Sequence, residues 1–188
     1  MFQQTSNAPS TTAQLELPEN YCSAREIVTA INAILKLDPE DIAASPITGE
    51  SPSLLQAEAT EQAESVQQAI RQLLDQSYSL SDITVLSYHG YGSSSLLNQE
   101  QIGPWRTRRF TGKYDENGNQ QYSDGELRVE SLHRFKGLQS PAVVLAEIDF
   151  SELSDDARRR LYVGMTRAKL TLTLVLTESA LKALTGTL

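Results

Sequence analysis

The stretch AVVLAEI, residues 142–148, is a continuous apolar run with the length of one buried strand. Two further runs have the same character, ITVLSY at 83–88 and LTLTLVL at 170–176. Unalternating runs of this length, rich in Val, Ile, Leu and Thr, are typical of parallel strands whose two faces are both covered. Because helical segments separate the runs, the sequence predicts an α/β domain with three layers and a mainly parallel sheet.

The remaining elements follow from local patterns. Ser23 and Glu26 have the spacing of a capping box, which predicts a helix over 23–37 that ends before Pro39. A second amphipathic helix is predicted by the spacing of Ala63, Val66, Ile70, Leu73 and Leu74, after a possible strand in SLLQAEA at 53–59. A hairpin with its turn at Asn117 and Gly118 is expected within about 104–126, followed by a strand at 127–131.

Length and composition restrict the class of protein. A chain of 188 residues has room for one compact domain, and we expect it to occupy 15–188 after a flexible lead-in over 1–14. No apolar run approaches the roughly 18 to 20 residues that span a bilayer. The single cysteine, Cys22, excludes an internal disulfide, and two histidines beside it are too few for a structural zinc site. These features predict a cytoplasmic protein that has no membrane partner.

Charge is distributed unevenly along the chain. The net charge is −8, which argues against coating of nucleic acid through bulk positive charge. Residues 1–82 hold 12 acidic and 3 basic side chains, whereas residues 83–188 hold 12 acidic and 13 basic ones. Local anion binding by the second half is therefore possible.

The nine residues SLHRFKGLQ, 131–139, join a predicted strand to a turn. A hydroxyl, an imidazole, two cations and a glycine at the carboxyl end of a sheet strand favour phosphate binding. A solvated surface turn explains the same composition, and on composition alone it is the better interpretation.

The stretch DDARRRLYVGMTRAK, 155–169, has helical periodicity. Arg160, Gly164 and Arg167 would line one face of this helix, with the glycine leaving room for an anion between two guanidiniums. A solvated helix with acidic residues at its N-terminus and basic residues further along explains the pattern, and for this helix alone it is the better interpretation.

These two stretches carry a family resemblance. SLHRFKGLQSPAVVLAEID resembles motif V of superfamily I helicases of the UvrD and Rep type, and RRRLYVGMTRAKLTLTLV resembles their motif VI. LPENYCSAREIVTAINAIL is similar to the motif IV segment, and SDITVLSYHG to the strand after it. The resemblance spans about 15–176 and implies the second RecA-like domain of a UvrD-like DNA helicase, with a P-loop NTPase-like fold.

In that family two RecA-like domains hold ATP and Mg²⁺ between them, and this chain resembles the second domain alone. No G-x-x-x-x-G-K-[ST] motif occurs, so the chain lacks its own P-loop. The resemblance implies that an N-terminal RecA-like domain of the same parent protein supplies the phosphate loop and the metal ligands. Hydrolysis of ATP by this chain alone is not expected.

Site residues follow from the resemblance position by position. Arg167 would act as an arginine finger on the γ-phosphate, Tyr21 would lie against adenine, and Gln139 stands where the family has a ribose-binding glutamate. The nucleotide side would also include Gly137, Arg160 and Gly164, and single-stranded DNA would be contacted by Ser131, His133, Arg134 and Lys136.

Two departures from the family are visible. Cys22 replaces a second arginine that the family places against the γ-phosphate, so either Arg25 or Arg160 substitutes for it or hydrolysis is slower. The insertion before motif V is short, so the duplex contacts of larger relatives would be absent. Its cations and rings, Arg106, Arg108, Arg109, Lys113, Trp105, Phe110 and Tyr114, could stack bases, although a solvated hairpin with a buried Trp is the simpler interpretation.

One alternative stays open at this point. The chain could be a non-catalytic module that binds nucleic acid or protein through a degenerate helicase fold, an interpretation that Cys22 and Gln139 favour. A reading frame upstream of Met1 that encodes a phosphate-loop domain would favour the helicase. A hydrolase that uses His89 or His133 as a base lacks a paired carboxylate or nucleophile in the sequence nearby.

Overall fold

A computed structural model describes residues 19–186, and the predicted lead-in over 1–14 lies outside this range. The helices are α1 (Arg25–Leu35), α2 (Gln62–Asp75), α3 (Asp155–Met165) and α4 (Glu178–Thr185). The strands are β1 (Glu19–Asn20), β2 (Ile42–Ala43), β3 (Ser53–Gln56), β4 (Ile83–Ser87), β5 (Gln101–Ile102), β6 (Trp105–Arg108), β7 (Phe110–Tyr114), β8 (Gln120–Tyr122), β9 (Leu127–Ser131), β10 (Ser140–Ile148) and β11 (Ala168–Leu176).

A seven-stranded sheet forms the centre of the molecule, in the order β3-β11-β10-β4-β9-β6-β5. Every strand pair in it is parallel except β5–β6. One core cluster joins α1, α3 and α4 to one face of the sheet, and a second joins α2 to the other face. The three-layer α/β fold predicted from the apolar runs is therefore confirmed.

The three apolar runs became the central strands because each is buried on both faces. All five residues of β4 are buried, and so are eight of the nine in β10. A strand with only one covered face would alternate instead. The strand at 53–56, the second helix and the strand at 127–131 also formed as predicted.

The start of α1 differs from the prediction. The expected capping box is absent, since Ala24 is the N-cap and makes no side-chain cap bond. The Glu26 carboxylate instead accepts a hydrogen bond from the Gly49 backbone N at 2.7 Å. The backbone N of Ala24 donates to the Lys169 carbonyl at 2.7 Å, so a long-range bond to the start of β11 sets where the helix begins.

A hairpin formed around Asn117 and Gly118, as the sequence predicts. β7 and β8 pair antiparallel, and the Asp115 carboxylate accepts from the backbone N of Asn117 and of Asn119 at 2.9 and 2.7 Å. β6, just before the hairpin, joins the main sheet beside β9. Trp105 is partly buried against the α2-side core, and base stacking by the rings of the insertion stays a prediction.

Where β6 meets β9, the backbones approach closely at Gly125. A Cβ atom there would lie 2.5 Å from the Thr107 carbonyl carbon and oxygen. We expect Gly125→Ala to lower the free energy of unfolding by about 1–3 kcal/mol, because backbone must move to admit the methyl group. Gly92→Ala is the matched control, since a Cβ at Gly92 meets no atom within 4 Å. Urea unfolding of both variants measures the effect, and equal stabilities would contradict it.

Candidate functional site

The segment 132–139 connects the carboxyl end of β9 to the amino end of β10. β4 lies between these two strands, and all three run parallel. The segment must therefore cross the sheet from one edge to the other, which it does on the α3 side, where Phe135 is buried in the core. As a result its two ends reach two different cavities.

The first cavity, here called the basic cavity, lies at the carboxyl edge of the sheet and has a volume of about 360 Å³. His133 and Lys136 enter it from the segment, and both are exposed. His89 Nε2 lies 3.0 Å from Asp149 Oδ2, and the Arg160 guanidinium lies over the Tyr88 ring at 5.6 Å. The full lining is Tyr88, His89, Gly90, Leu132, His133, Lys136, Arg159, Arg160 and Val163.

The second cavity, here called the arginine pocket, has a volume of about 260 Å³ and contains Arg167. Arg167 donates from Nε to the Val163 carbonyl at 2.9 Å, from Nη1 to the Leu138 carbonyl at 3.2 Å and from Nη2 to Thr166 Oγ1 at 3.0 Å. A guanidinium has five N–H groups, so two remain for a ligand. Burial lowers the pKa of Arg167, which nevertheless stays charged at neutral pH.

The wall of the arginine pocket includes both residues predicted to contact nucleoside. Tyr21 is 62% exposed and donates its hydroxyl to the Glu19 carboxylate. Gln139 Nε2 donates to the Thr166 carbonyl at 3.1 Å, which ties the segment 132–139 to the residue beside Arg167. The lining is Glu19, Asn20, Tyr21, Cys22, Asp41, Gln139, Tyr162, Thr166 and Arg167.

The structure thus separates the predicted residues into two groups. Tyr21, Gln139 and Arg167 meet in the arginine pocket, and His133 and Lys136 meet in the basic cavity. Gly137, the remaining nucleotide-side residue of the segment, lines neither of them. It has φ +82°, a left-handed conformation that favours glycine and that turns the segment toward the amino edge.

The predicted row of Arg160, Gly164 and Arg167 is wrong. Helix α3 ends at Met165, so its periodicity does not extend to Arg167. Gly164 faces the core, where a Cβ would lie 2.6 Å from Leu145 Cδ2. Arg160 lies in the basic cavity and pairs with the Asp156 carboxylate at 3.0 Å.

The charge that Cys22 lacks is not restored by another arginine. Neither Arg25 nor Arg160 lines the arginine pocket, so substitution by one of them is not supported, and slower hydrolysis stays a prediction. Carboxylates of Glu19 and Asp41 line it instead. The Tyr162 hydroxyl donates to Asp41 Oδ2 at 2.8 Å, and burial together with this bond raises the pKa of Tyr162 to about 12.

Two of the residues predicted to contact DNA, Ser131 and Arg134, instead contact other residues of the protein. Ser131 is 3% exposed, and its hydroxyl accepts from the Arg134 backbone N at 3.4 Å. The Arg134 guanidinium lies over the Phe110 ring at 3.5 Å, and its Nε is 3.4 Å from Glu130 Oε1. Arg134 therefore holds the hairpin against the segment 132–139, and His133 and Lys136 are the residues of this group that face the basic cavity.

Sequence analysis missed Glu147, a buried carboxylate in β10. Its oxygens accept hydrogen bonds from Ser87 Oγ and Ser94 Oγ at 2.5 Å, and from the N and Oγ of Ser95 at 2.7 Å. Ser87 Oγ also accepts from the backbone N of His89 at 3.0 Å. Glu147 therefore fixes the loop after β4 that carries one wall of the basic cavity. An acidic residue inside an apolar strand was the available signal.

Hydrogen bonding outweighs burial at Glu147. Burial alone would raise the pKa of its carboxyl group, but the bonds from Ser87, Ser94 and Ser95 lower it below the ordinary value of 4.5. A carboxyl group whose pKa is lowered on folding stabilises the protein above its unfolded pKa, and this stabilisation is lost as the pH falls through the folded pKa.

We expect Glu147→Gln to reduce the free energy of unfolding by about 1–3 kcal/mol at neutral pH. The stability difference between wild type and variant should shrink as the pH falls from 4.5 toward the lowered pKa of the folded protein, because in this range the unfolded chain binds a proton that the folded carboxylate does not. Urea unfolding of both proteins across this range measures the difference. A difference independent of pH would contradict the role of the ionised carboxylate.

The fold is that of a three-layer α/β domain with a mainly parallel sheet. Residues 126–175 match the family model of the UvrD-like helicase C-terminal domain. The fold is similar to that of the C-terminal domain of a possible DNA helicase from Lactobacillus plantarum WCFS1, with a TM-score of 0.57 and 16% identity over 85% of this chain and 91% of that one. A comparison with curated proteins finds no match. The resemblance to a UvrD-like helicase C-terminal domain is thereby confirmed.

None of the helices within residues 19–186 is long and apolar enough to cross a membrane. Within the same residues, no group of three or more His, Cys, Asp or Glu side chains could hold a metal ion. The cytoplasmic location expected from the sequence stays a prediction.

Proposed function

We propose that this chain is the C-terminal motor domain of an ATP-dependent superfamily I DNA helicase. In this proposal the arginine pocket completes an ATP site whose other half belongs to an N-terminal RecA-like domain of the same parent protein. The basic cavity holds the backbone of single-stranded DNA. The observation that carries the proposal is the segment 132–139, which links the two cavities through eight residues.

The arginine pocket suits a triphosphate approached from outside. Arg167 is half-buried and held in place by three hydrogen bonds, yet keeps two N–H groups that could bind phosphate oxygens as a fork. The exposed ring of Tyr21 offers a surface for adenine. ATP, with Mg²⁺ held by the first domain, would supply the phosphoryl group that is hydrolysed. Arg167 would neutralise charge on that group from across the cleft.

The basic cavity suits a phosphodiester backbone. His133 and Lys136 are exposed at its rim, and Arg159 and Arg160 extend the positive charge along α3. Cations on one surface attract the nucleic-acid backbone without reading its sequence. We assign the binding of single-stranded DNA to His133 and Lys136, because the other two residues predicted for this role, Ser131 and Arg134, contact other residues of the protein.

Coupling between the two sites would pass along the segment 132–139. Its end near β10 is bonded to Arg167 through the Leu138 carbonyl and to Thr166 through Gln139. Its other end carries His133 and Lys136 into the basic cavity. A displacement of Arg167 toward nucleotide would therefore pull on the residues that hold DNA, and alternating closure would become stepping along the strand.

Arg167→Ala should lower the ATPase rate by about 100-fold or more, because an arginine finger stabilises the charge of the transition state. The measurement is DNA-stimulated ATP hydrolysis by the chain joined to its phosphate-loop domain.

Arg71→Ala is the matched control for this variant, since Arg71 is an exposed arginine on α2, on the other face of the sheet. Thermal unfolding of Arg167→Ala shows whether the loss of its hydrogen bonds destabilises the fold. Arg167→Lys keeps the charge but not the forked geometry, so this variant should stay folded and have a lowered ATPase rate. An ATPase rate within about twofold of wild type for Arg167→Ala would contradict the finger assignment.

The double variant His133→Ala/Lys136→Ala should bind single-stranded oligothymidylate roughly tenfold more weakly at low salt. The slope of log affinity against log salt should fall by about 0.7, which corresponds to one lost phosphate contact by Lys136. Fluorescence anisotropy over a salt series gives both quantities. The control variant Arg71→Ala/Lys182→Ala removes cations from α2 and α4 and should change neither the affinity nor the slope. An equal loss of affinity in both double variants would refute specific binding of DNA by His133 and Lys136.

A non-catalytic binding module is the second candidate, favoured by the acidic lining of the arginine pocket. The carboxylates of Glu19 and Asp41 would repel a triphosphate, and Cys22 adds no compensating charge. Wild-type protein that binds single-stranded DNA but shows no ATPase activity when joined to its phosphate-loop domain would establish this candidate.

A further inference from the structure

Two arginines that are far apart in sequence lie side by side on neighbouring strands of the sheet. Arg108 of β6 and Arg128 of β9 are direct register partners on neighbouring parallel strands. Their strand neighbours Thr107, Leu127 and Val129 are buried, the two apolar ones in the α2-side core. Because side chains alternate along a strand, both arginines project from the opposite face.

Neither arginine is neutralised by a carboxylate. The Arg108 guanidinium lies 5.8 Å from the centre of the Tyr122 ring, and that of Arg128 lies 5.7 Å from the centre of the Phe135 ring. Within residues 19–186, neither has a carboxylate oxygen within 4.0 Å. Their neighbour on this face, Arg134, is compensated by the buried Glu130.

Like charges on directly opposed residues destabilise a sheet. The ring contacts orient each guanidinium but leave the charge in place. Arg108 is exposed and Arg128 is partly exposed, so phosphate groups can reach this like-charged pair, and each forked guanidinium can bind one of them.

This surface borders the segment 132–139, which also contributes to the basic cavity. Phe135, on which Arg128 lies, directly precedes Lys136, which lines that cavity. On the far side, the exposed ring of Tyr114 and the partly exposed Tyr122 stand on the hairpin. Cations that track a backbone beside aromatic rings are the arrangement that binds single strands without sequence preference.

We infer that Arg108 and Arg128 form a second phosphate-binding surface, which extends the single-stranded DNA site beyond the basic cavity toward the hairpin. This inference rests on the proposed function. The juxtaposition is made by β6, the strand that opens the short insertion, together with β9.

The test compares Arg108→Gln/Arg128→Gln with wild type in binding oligothymidylates of about 6 and about 15 nucleotides over a salt series. We expect the slope of log affinity against log salt for the longer strand to fall by about 1.4, as two phosphate contacts are lost. The shorter strand, held in the basic cavity, should lose less. The thermal midpoint should stay equal or rise, because a like-charge contact is removed.

Two controls accompany the double variant. Arg108→Lys/Arg128→Lys keeps the charges and should retain most of the slope, whereas Arg71→Gln/Lys182→Gln removes two charges elsewhere and should retain all of it.

An unchanged slope for Arg108→Gln/Arg128→Gln would overturn the inference. If the wild-type protein binds neither oligonucleotide, the proposed function itself fails. If wild type binds and only the His133 and Lys136 variant is weakened, the proposed function stands and this surface falls.

Discussion

The position of β4 between β9 and β10 determines the path of the segment 132–139 and, through it, the arrangement of the two cavities. Because all three strands are parallel, the eight residues 132–139 have to cross the sheet from its carboxyl edge to its amino edge. The same short segment therefore contributes His133 and Lys136 to one cavity and holds Arg167 in another. A longer or looser connection would leave the two cavities mechanically independent. Helix α3 completes the arrangement, since its exposed side lines both cavities.

Much of the fold could be predicted from the sequence because it depends on burial alone. Apolar runs without alternation identify strands covered on both faces, and they identified β4, β10 and β11. The boundaries that failed depend on tertiary contacts. Glu26 satisfies the backbone of Gly49 rather than its own helix end, and α3 stops at Met165 so that Ala168 can begin the next strand. Local helix propensity contains no information about the Gly49 backbone that Glu26 contacts or about the strand that begins at Ala168.

The motifs predicted which residues belong to the candidate site. They did not predict which of those side chains face the cavities and which face the core, because that depends on the three-dimensional packing. Arg167, Tyr21 and Gln139 do share a pocket. Gly164 and Ser131, by contrast, face the interior, and Arg134 lies on the ring of Phe110. The serine bonds of Glu147 and the pairing of Arg108 with Arg128 depend on strand register and on contacts between residues 20 to 60 positions apart, which a single sequence does not specify.

We expect a nucleotide to bind between this chain and a phosphate-loop domain. Mixing the two domains as separate proteins and measuring their association by sedimentation or calorimetry, with and without a non-hydrolysable ATP analogue and Mg²⁺, tests this expectation. The nucleotide should tighten the association by about tenfold or more, because each domain holds only part of the ligand. Association that nucleotide leaves unchanged would show that the ATP site is not shared.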